Sequence, residues 1–89
     1  MIDLQTATHS DFEPCLNQPF RLGDGVELRL VQVELRGHAA KRQAFSLIFE
    51  GGPEPPLAQA IHRLEHETLG VLELFLVPLG PARYEAVFA

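Results

Sequence analysis

Apolar side chains are most concentrated in residues 70–78, which read GVLELFLVP. Between Gly70 and Pro78 the only polar side chain is that of Glu73. Such near-continuous apolarity over a short stretch predicts a β-strand that is buried on most of both faces. Pairing should end at Pro78, because proline has no N–H to donate to a sheet ladder. The rest of the chain must then supply the surfaces that cover this strand.

Three further stretches alternate apolar and polar side chains with the period of two that is typical of half-buried strands. They are residues 20–22, 43–50 and 83–88. The first of them is followed by Gly23-Asp24-Gly25, a sequence that predicts a tight hairpin turn.

The stretch 26–37 also alternates, but it changes phase in the middle. Its apolar residues are Val26, Leu28 and Leu30, followed by Val31, Val33 and Leu35. A change of phase moves the apolar set to the other face of a strand unless a bulge or sharp bend absorbs the extra residue. Because such bends curl small sheets into barrels, this stretch indicates a barrel-like sheet.

One short helix is predicted to begin at Thr8 and to end at Leu16. Thr8 and Asp11 have the spacing of an N-terminal capping pair, and Phe12, Cys15 and Leu16 recur at helical spacing. Asn17 favours the left-handed conformation in which helices often end. We expect Phe12 and Leu16 to plug one end of the fold.

Residues 57–67 (LAQAIHRLEHE) fit two structures. Local propensity favours a helix with Leu57, Ile61 and Leu64 along one stripe and Gly70 as its stop. A period of two gives a weaker strand, in which Leu64 and His66 share one face. Propensity alone therefore favours the helix.

Five stretches together carry a family resemblance. They are FSLIFEG at 45–51, PEPPLAQ at 53–59, HRLEHETLG at 62–70, VLELFLVPLGP at 71–81 and RYEAVFA at 83–89. In order and content they resemble a family of small bacterial proteins known only as a domain of unknown function. The resemblance implies a mainly β fold and implies no reaction.

Two departures from the family pattern bear on residues 57–67. Where the family has Gly-Thr-Tyr, this chain has Ala60-Ile61-His62, and where the family has Pro, this chain has Glu67. Gly, Thr, Tyr and Pro favour strands and turns over helices. The resemblance therefore implies a strand over residues 61–66 and a turn over residues 67–70, against the local propensity.

Composition and charge narrow the class of protein. A chain of 89 residues predicts one domain, residues 1–89, and the net charge of −5 with seven scattered Lys and Arg argues against nucleic-acid binding. Cys15 is the only cysteine, so no internal disulfide or thiolate metal cage can form, and we expect it to be buried. The sequence contains neither a signal peptide nor a membrane span, so we expect a cytoplasmic protein that does not enter a membrane.

The segment His62-Arg63-Leu64-Glu65-His66 matches the zinc-peptidase signature H-x-x-E-H. That chemistry needs a helix, which projects both histidines from one face, whereas strand residues four apart are separated by roughly 13 Å. We therefore interpret His62 as a surface residue and His66 as a turn-closing hydrogen-bonding residue, and we predict no metal site.

Charged residues on the predicted strands offer a second candidate chemistry. Glu65, Glu73 and Glu85 fall on neighbouring strands, and a close pair of carboxylates would be an acid–base candidate. Arg63 and Arg83 lie among them, so we favour cross-strand ion pairs. No catalytic residue, enzyme activity or cofactor is predicted.

The sequence as a whole predicts a mainly β fold, a small antiparallel sheet or barrel of five to six strands with one short N-terminal helix. The expected role is a non-catalytic structural or protein-interaction module, for example an accessory subunit of a phage-tail-like or other assembly. Open sheet edges would let the protein bind a protein partner or form a homodimer.

The alternative role is a small-ligand-binding barrel with its site at the barrel mouth, near Arg63, His66, Arg83 and Tyr84. The two roles make different structural predictions. An interaction protein should expose a patch of apolar side chains, whereas a ligand binder should have a pocket at one end of the barrel.

Overall fold

A computed structural model of the chain describes residues 3–4, 6–38, 43–53 and 56–88. The elements, in chain order, are α1 (His9–Phe12), a 3₁₀ turn (Glu13–Cys15), β1 (Pro19–Arg21), a second 3₁₀ turn (Gly23–Gly25), β2 (Glu27–His38), β3 (Gln43–Gly51), β4 (Ala60–His66), β5 (Gly70–Gly80) and β6 (Arg83–Phe88). The strands form a closed antiparallel barrel in the order β1-β2-β3-β6-β5-β4. The predicted mainly β fold with one short N-terminal helix is confirmed.

The inside of the barrel is filled by side chains from every strand. The largest fully buried residues are Phe20, Leu28, Leu30, Phe45, Leu47, Phe49, Leu64, Leu72, Leu76 and Tyr84, together with Phe12 from α1. Alternation along the strands supplies this set, because every second residue of a strand points to the same side of the sheet. The interior is therefore a packed core.

The N-terminal helix closes one end of the barrel, as predicted, but only one of the two side chains predicted to plug it, Phe12, is fully buried. The ring of Phe12 packs against those of Phe45 and Phe88, with centroids 5.8 Å and 5.5 Å away. Leu16, predicted to join it, is 37% exposed, whereas Cys15 is buried. The reason is the 3₁₀ turn that follows α1, since side chains three residues apart eclipse in this tighter helix and Cys15 therefore falls beneath Phe12.

Both predicted ends of this helical segment are confirmed. The backbone N–H of Thr8 donates to Oδ2 of Asp11 at 2.9 Å, which is one half of a capping box. Asn17 has a φ of 67°, in the left-handed region. These local signals act within a few residues, so the sequence alone could predict them.

The phase change in β2 is a bulge. In the ladder with β3, Leu30 pairs with Phe49 and Gln32 with Ile48, so Val31 is the extra residue. The bulge returns Val33 to the inner side, where it packs against the core. A second irregularity follows between Leu35 and Gly37.

β4 is a strand along its whole length. It pairs with β5 from Ala60 opposite Leu76 to His66 opposite Gly70, and a turn at residues 67–69 joins the two strands. The helix favoured by local propensity is therefore wrong, and the strand implied by the family resemblance is confirmed. Pairing along β5 supplies hydrogen bonds that a local propensity scale does not include.

Two predictions for β5 are wrong. The strand is buried on one face only, with Leu72, Leu74 and Leu76 inside, while Phe75 on the other face is 50% exposed. It also continues beyond Pro78 to Gly80, because Pro78 pairs with Tyr84 next to a register shift. A proline is tolerated at such an irregularity, where the ladder needs no N–H donor.

Two pairs of neighbouring strands in the barrel, β1 with β4 and β5 with β6, are joined by short ladders, and we call these two junctions the seams. The described ladder between β1 and β4 consists of one pair, Arg21 with Glu65, and the ladder between β5 and β6 ends at Val77 with Glu85. Closure removes the open sheet edges on which the predicted mode of association depended.

None of the helices in the described part of the chain has the length and apolarity of a transmembrane span.

Candidate functional site

The outside of β5 carries apolar side chains that stay exposed within the described part of the chain. Phe75 lies directly across from Ile61 of β4, and the two are 50% and 68% exposed. On β6, Val87 is 51% exposed. Continuing the β5–β6 register by two residues beyond Val77 and Glu85 brings Val87 level with Phe75. We call Ile61, Phe75, Val77 and Val87 the apolar outer face.

A row of charged residues borders the apolar outer face. Arg63 of β4 lies directly across from Glu73 of β5, and Glu65 follows two residues later on β4. All three side chains are exposed. In the described part of the chain none of them forms an ion pair, so the cross-strand pair expected for Arg63 is not made.

The ion pairs that do form lie elsewhere on the barrel. Arg36 contacts Glu85 at 3.4 Å, and Arg83 contacts Glu50 at 3.7 Å. Glu85 and Arg83 thus form ion pairs between strands, as expected. Their partners, however, are Arg36 on β2 and Glu50 on β3. Exposed pairs of this kind contribute roughly 0–1 kcal/mol each.

The Arg36–Glu85 ion pair covers the outer side of β3. Because Arg36 lies on β2 and Glu85 on β6, the two strands that flank β3, the pair crosses over it. Beneath, the outward-facing Ser46 and Ile48 are only 0% and 6% exposed. Ser46 and Ile48 on the outer side of β3 are thus buried, whereas Phe75 on the outer side of β5 stays half exposed in the part of the chain that the structure describes.

His66 is a structural residue at the β4–β5 turn. Its Nδ1 accepts hydrogen bonds from the backbone N–H groups of Thr68 at 3.0 Å and Leu69 at 3.2 Å. Its Nε2 must then carry the proton of the neutral ring, and it donates to Oε1 of Gln18 at 2.7 Å. The interpretation of His66 as a turn-closing residue is confirmed.

The surroundings of His66 favour the neutral ring. The side chain is 4% exposed and packs on Phe20 with ring centroids 4.7 Å apart. Burial lowers the pKa of His66, the positive charge of Arg21 lowers it further, and the charge of Glu67 acts in the opposite direction. A protonated ring would also lose both hydrogen bonds that Nδ1 accepts.

Tyr84 is buried and holds the loop between β3 and β4. Its hydroxyl oxygen accepts a hydrogen bond from the N–H of Leu57 at 2.8 Å, and Leu57 packs against the core. Gly52 passes so close that a Cβ would lie 3.3 Å from Cε1 of Tyr84. This tyrosine therefore serves packing and loop attachment.

The two arginines of the predicted ligand site line different cavities. Arg83 lies with Arg29 and Glu50 beside a shallow groove of about 620 Å³ on the outer side of β2, β3 and β6. Arg63 lies with His62 beside a cavity of about 480 Å³ next to the turn between β1 and β2. His66 and Tyr84 line neither cavity. The structure does not bring the four residues together at one barrel mouth.

The metallopeptidase signature lacks the geometry that its chemistry needs. His62, Glu65 and His66 all lie on β4, so they have strand spacing. His62 instead places Nε2 at 2.7 Å from the carbonyl oxygen of Ala58. In the described part of the chain no three His, Cys, Asp or Glu residues are grouped as a metal site. Cys15 is buried, and burial raises its thiol pKa.

Sequence reasoning missed the apolar outer face, although a signal for it was present. Residues 71–77 contain more apolar side chains than one face of a strand can hold. Burial on both faces was one explanation of this excess, and an exposed binding face was the other. Ile61 and Val87, which alternate with core residues, belong to the same face only because the barrel places β4, β5 and β6 side by side.

Comparison with known proteins identifies a family but no function. A family model described as Domain of unknown function (DUF6916) matches residues 7–88. The comparisons with curated proteins and with solved structures gave no match to this chain.

Proposed function

The chain belongs to the DUF6916 family, whose function is unknown, and we propose that it is a non-catalytic protein-interaction module that binds its partner through the apolar outer face. The observation that carries this proposal is the exposure of Ile61 and Phe75 as a cross-strand pair, at 68% and 50%. Isolated exposed apolar residues are common on proteins, but neighbouring ones bordered by charges are typical of interaction sites.

Burial elsewhere on the barrel supports this choice of face. The outer side of β3 is also apolar in part, yet Arg36 and Glu85 cover it. Among the described residues no ion pair lies over Phe75, which is 50% exposed, although aromatic side chains are among those that contribute most to binding energy at interfaces. The closed barrel also favours binding by a face over binding by a strand edge.

The broader setting we propose is an accessory subunit of a larger assembly, of a phage-tail-like particle or of another kind. The supporting feature is the combination of a small packed core with the exposed apolar outer face, which suits a chain whose role is to attach to another surface. Ligand binding at the barrel mouth has weaker support, since His66 and Tyr84 are occupied by structural hydrogen bonds. The groove beside Arg83 is the place where a small anion would bind in that case.

A photo-crosslinking amino acid at position 75 tests the proposal in the native host. We expect a discrete protein adduct, because position 75 is the centre of the apolar outer face. Leu35 on β2 is the matched control position, since it is apolar and 51% exposed but lies elsewhere on the barrel. Absence of an adduct at 75, or equal adducts at 75 and 35, would contradict the proposal. The same crosslinking amino acid is also placed at position 83. An adduct at position 83 alone would favour binding in the groove beside Arg83 over binding at the apolar outer face.

A further inference from the structure

We propose that the partner seated on the apolar outer face is a second copy of this chain, related to the first by a two-fold axis parallel to β4 and β5. This inference rests on the proposed function, because it names the partner for the same face. It is carried by the way in which charged and apolar side chains face each other across the two strands.

Two neighbouring rows cross from β4 to β5 on the outer side. In one row Ile61 lies opposite Phe75, and in the next Arg63 lies opposite Glu73. Each row thus has one member on β4 and its complement on β5. The apolar row pairs an aliphatic with an aromatic side chain, and the charged row pairs a cation with an anion.

A two-fold axis that runs along the strands, between two such faces, makes the rows self-complementary. A rotation of 180° about this axis exchanges the positions of β4 and β5 across the sheet. It leaves the position of each row along the strands unchanged. β4 of one copy then lies over β5 of the other, at the ~10 Å separation typical of packed sheets. Arg63 of each copy faces Glu73 of the other, and Ile61 faces Phe75, so every contact forms twice.

The charges on this face favour a second copy over a strongly acidic or basic partner. The row carries both signs, Arg63 and Glu73, and neither side chain is ion-paired within the described part of the chain. A partner of one predominant charge would be attracted to one of them and repelled by the other. A second copy supplies the opposite charge at both positions.

The face is small, so the dimer should be weak. Stable complexes bury about 800 Å² on each partner, which is more than three or four exposed apolar side chains with a charged border provide. We therefore expect a dissociation constant at or above about 1 μM, and an association that depends strongly on protein concentration.

Charge reversal tests the proposed axis directly. Arg63→Glu places glutamates opposite each other twice in a homodimer, and Glu73→Arg does the same with arginines. Each variant alone should associate about tenfold or more weakly than the original chain. An equimolar mixture of the two should recover the affinity, because the introduced glutamate of one variant then faces the introduced arginine of the other, while the remaining native pair is kept. Sedimentation velocity with one variant fluorescently labelled measures the association of Arg63→Glu alone, of Glu73→Arg alone and of their mixture.

Folding is controlled for in two ways. Each single variant also sets like charges opposite each other within one copy, so circular dichroism melting must first show a folded chain. Phe75→Ser leaves the charges unchanged and should abolish association, whereas Leu35→Ser, at a similarly exposed position on β2, should not. The double variant Arg63→Glu with Glu73→Arg should associate as the original chain does.

Three results would overturn the inference. They are a chain that stays monomeric to about 1 mM, a dimer that the charge reversals do not weaken, and single variants that weaken but do not recover on mixing. Failure here is distinguishable from failure of the proposed function. A monomeric chain that gives a discrete adduct with another protein at position 75 overturns the second copy alone, whereas the absence of any adduct overturns both.

Discussion

At the scale of single residues, two buried side chains, His66 and Tyr84, use their polar groups to hold separate elements together. His66 joins the β4–β5 turn to Gln18 before β1, and Tyr84 joins β6 to the loop at Leu57. A buried polar group that has a partner stabilises the fold, whereas one without a partner costs free energy. Both residues looked like ligand-binding groups in the sequence because their chemistry is the same in either role.

The lowered pKa of His66 predicts that the protein loses stability in mild acid. The unfolded chain takes up a proton near the ordinary histidine pKa of about 6.5, while the folded chain does so only at lower pH. Between these two values the unfolded state binds more protons, so stability falls as the pH falls below about 6.5. Urea denaturation at a series of pH values measures this slope.

Two histidine variants separate this effect from general acid destabilisation. His66→Gln should unfold about 1–3 kcal/mol more easily at pH 7 and show a shallower loss between pH 7 and pH 5. His62→Gln, on the same strand but bonded to an exposed loop carbonyl, is the matched variant for the loss of a histidine that does not hold the turn. An unchanged slope in His66→Gln would show that other groups cause the acid sensitivity.

Two buried hydroxyl groups should respond in opposite ways to removal. Tyr84→Phe leaves the N–H of Leu57 without its acceptor and should cost about 1–3 kcal/mol. Ser46 is fully buried, and its Oγ has no hydrogen-bond partner in the described part of the chain, so Ser46→Ala should be neutral or stabilising. Chemical denaturation measures both, and a large loss for Ser46→Ala would reveal a partner for that hydroxyl.

At the scale of elements, short segments take their structure from what they pack against. α1 has four residues, too few to be stable alone, and it persists because Phe12 packs against the stacked rings of Phe45 and Phe88. β4 likewise is a strand because β5 pairs along its entire length. In both cases the partner is supplied by another segment of the chain.

The end plug gives a prediction about α1 and the turn that follows it. Phe12→Ala should cost about 3–5 kcal/mol, because it removes a fully buried ring and leaves a cavity at the barrel end. Leu16→Ala should cost less than about 1 kcal/mol, because Leu16 lies largely outside the core. Thermal unfolding of the two variants compares them, and equal losses would place Leu16 in the plug.

At the scale of the whole molecule, the barrel is unevenly held together. β3 pairs along most of its length with β2 on one side and β6 on the other, whereas β1 meets β4 at one described pair and the described ladder of β5 with β6 runs from Val77 to Gly80. The apolar outer face lies across the second of these seams. Where the ladder ends, two strands can adjust to a partner more easily than within a fully paired sheet.

Hydrogen exchange should reveal this unevenness. Amides of residues 45–49 in β3 should exchange slowest, and those of β1 should exchange at least about tenfold faster, because long ladders on both sides protect β3 and only short ones protect β1. Exchange measured by NMR resolves individual amides. Uniform protection around the barrel would mean that the seams open only with the whole fold.

Much of the fold could be predicted from local pattern. The period of two placed β2, β3 and β6 and assigned their inner residues, the change of phase placed the bulge at Val31, and the Thr8–Asp11 pair placed the start of α1. These features depend on residues within a few positions of one another. The candidate site could not be predicted in this way, since Ile61, Phe75 and Val87 come together only through strand order.

By itself, then, the sequence determined where the chain is extended, where it turns and which side chains are apolar enough for a core, because these properties follow from local periodicity and backbone preference. Tertiary structure decided what local pattern could not: that β4 is a strand, which only the family resemblance had implied, that Leu16 stays out of the plug, and that one side of β5 faces outward. The physical reason is that pairing and coverage are properties of two separate segments together. A strand with two apolar faces looks the same in sequence whether its second face is covered by its own chain or by another.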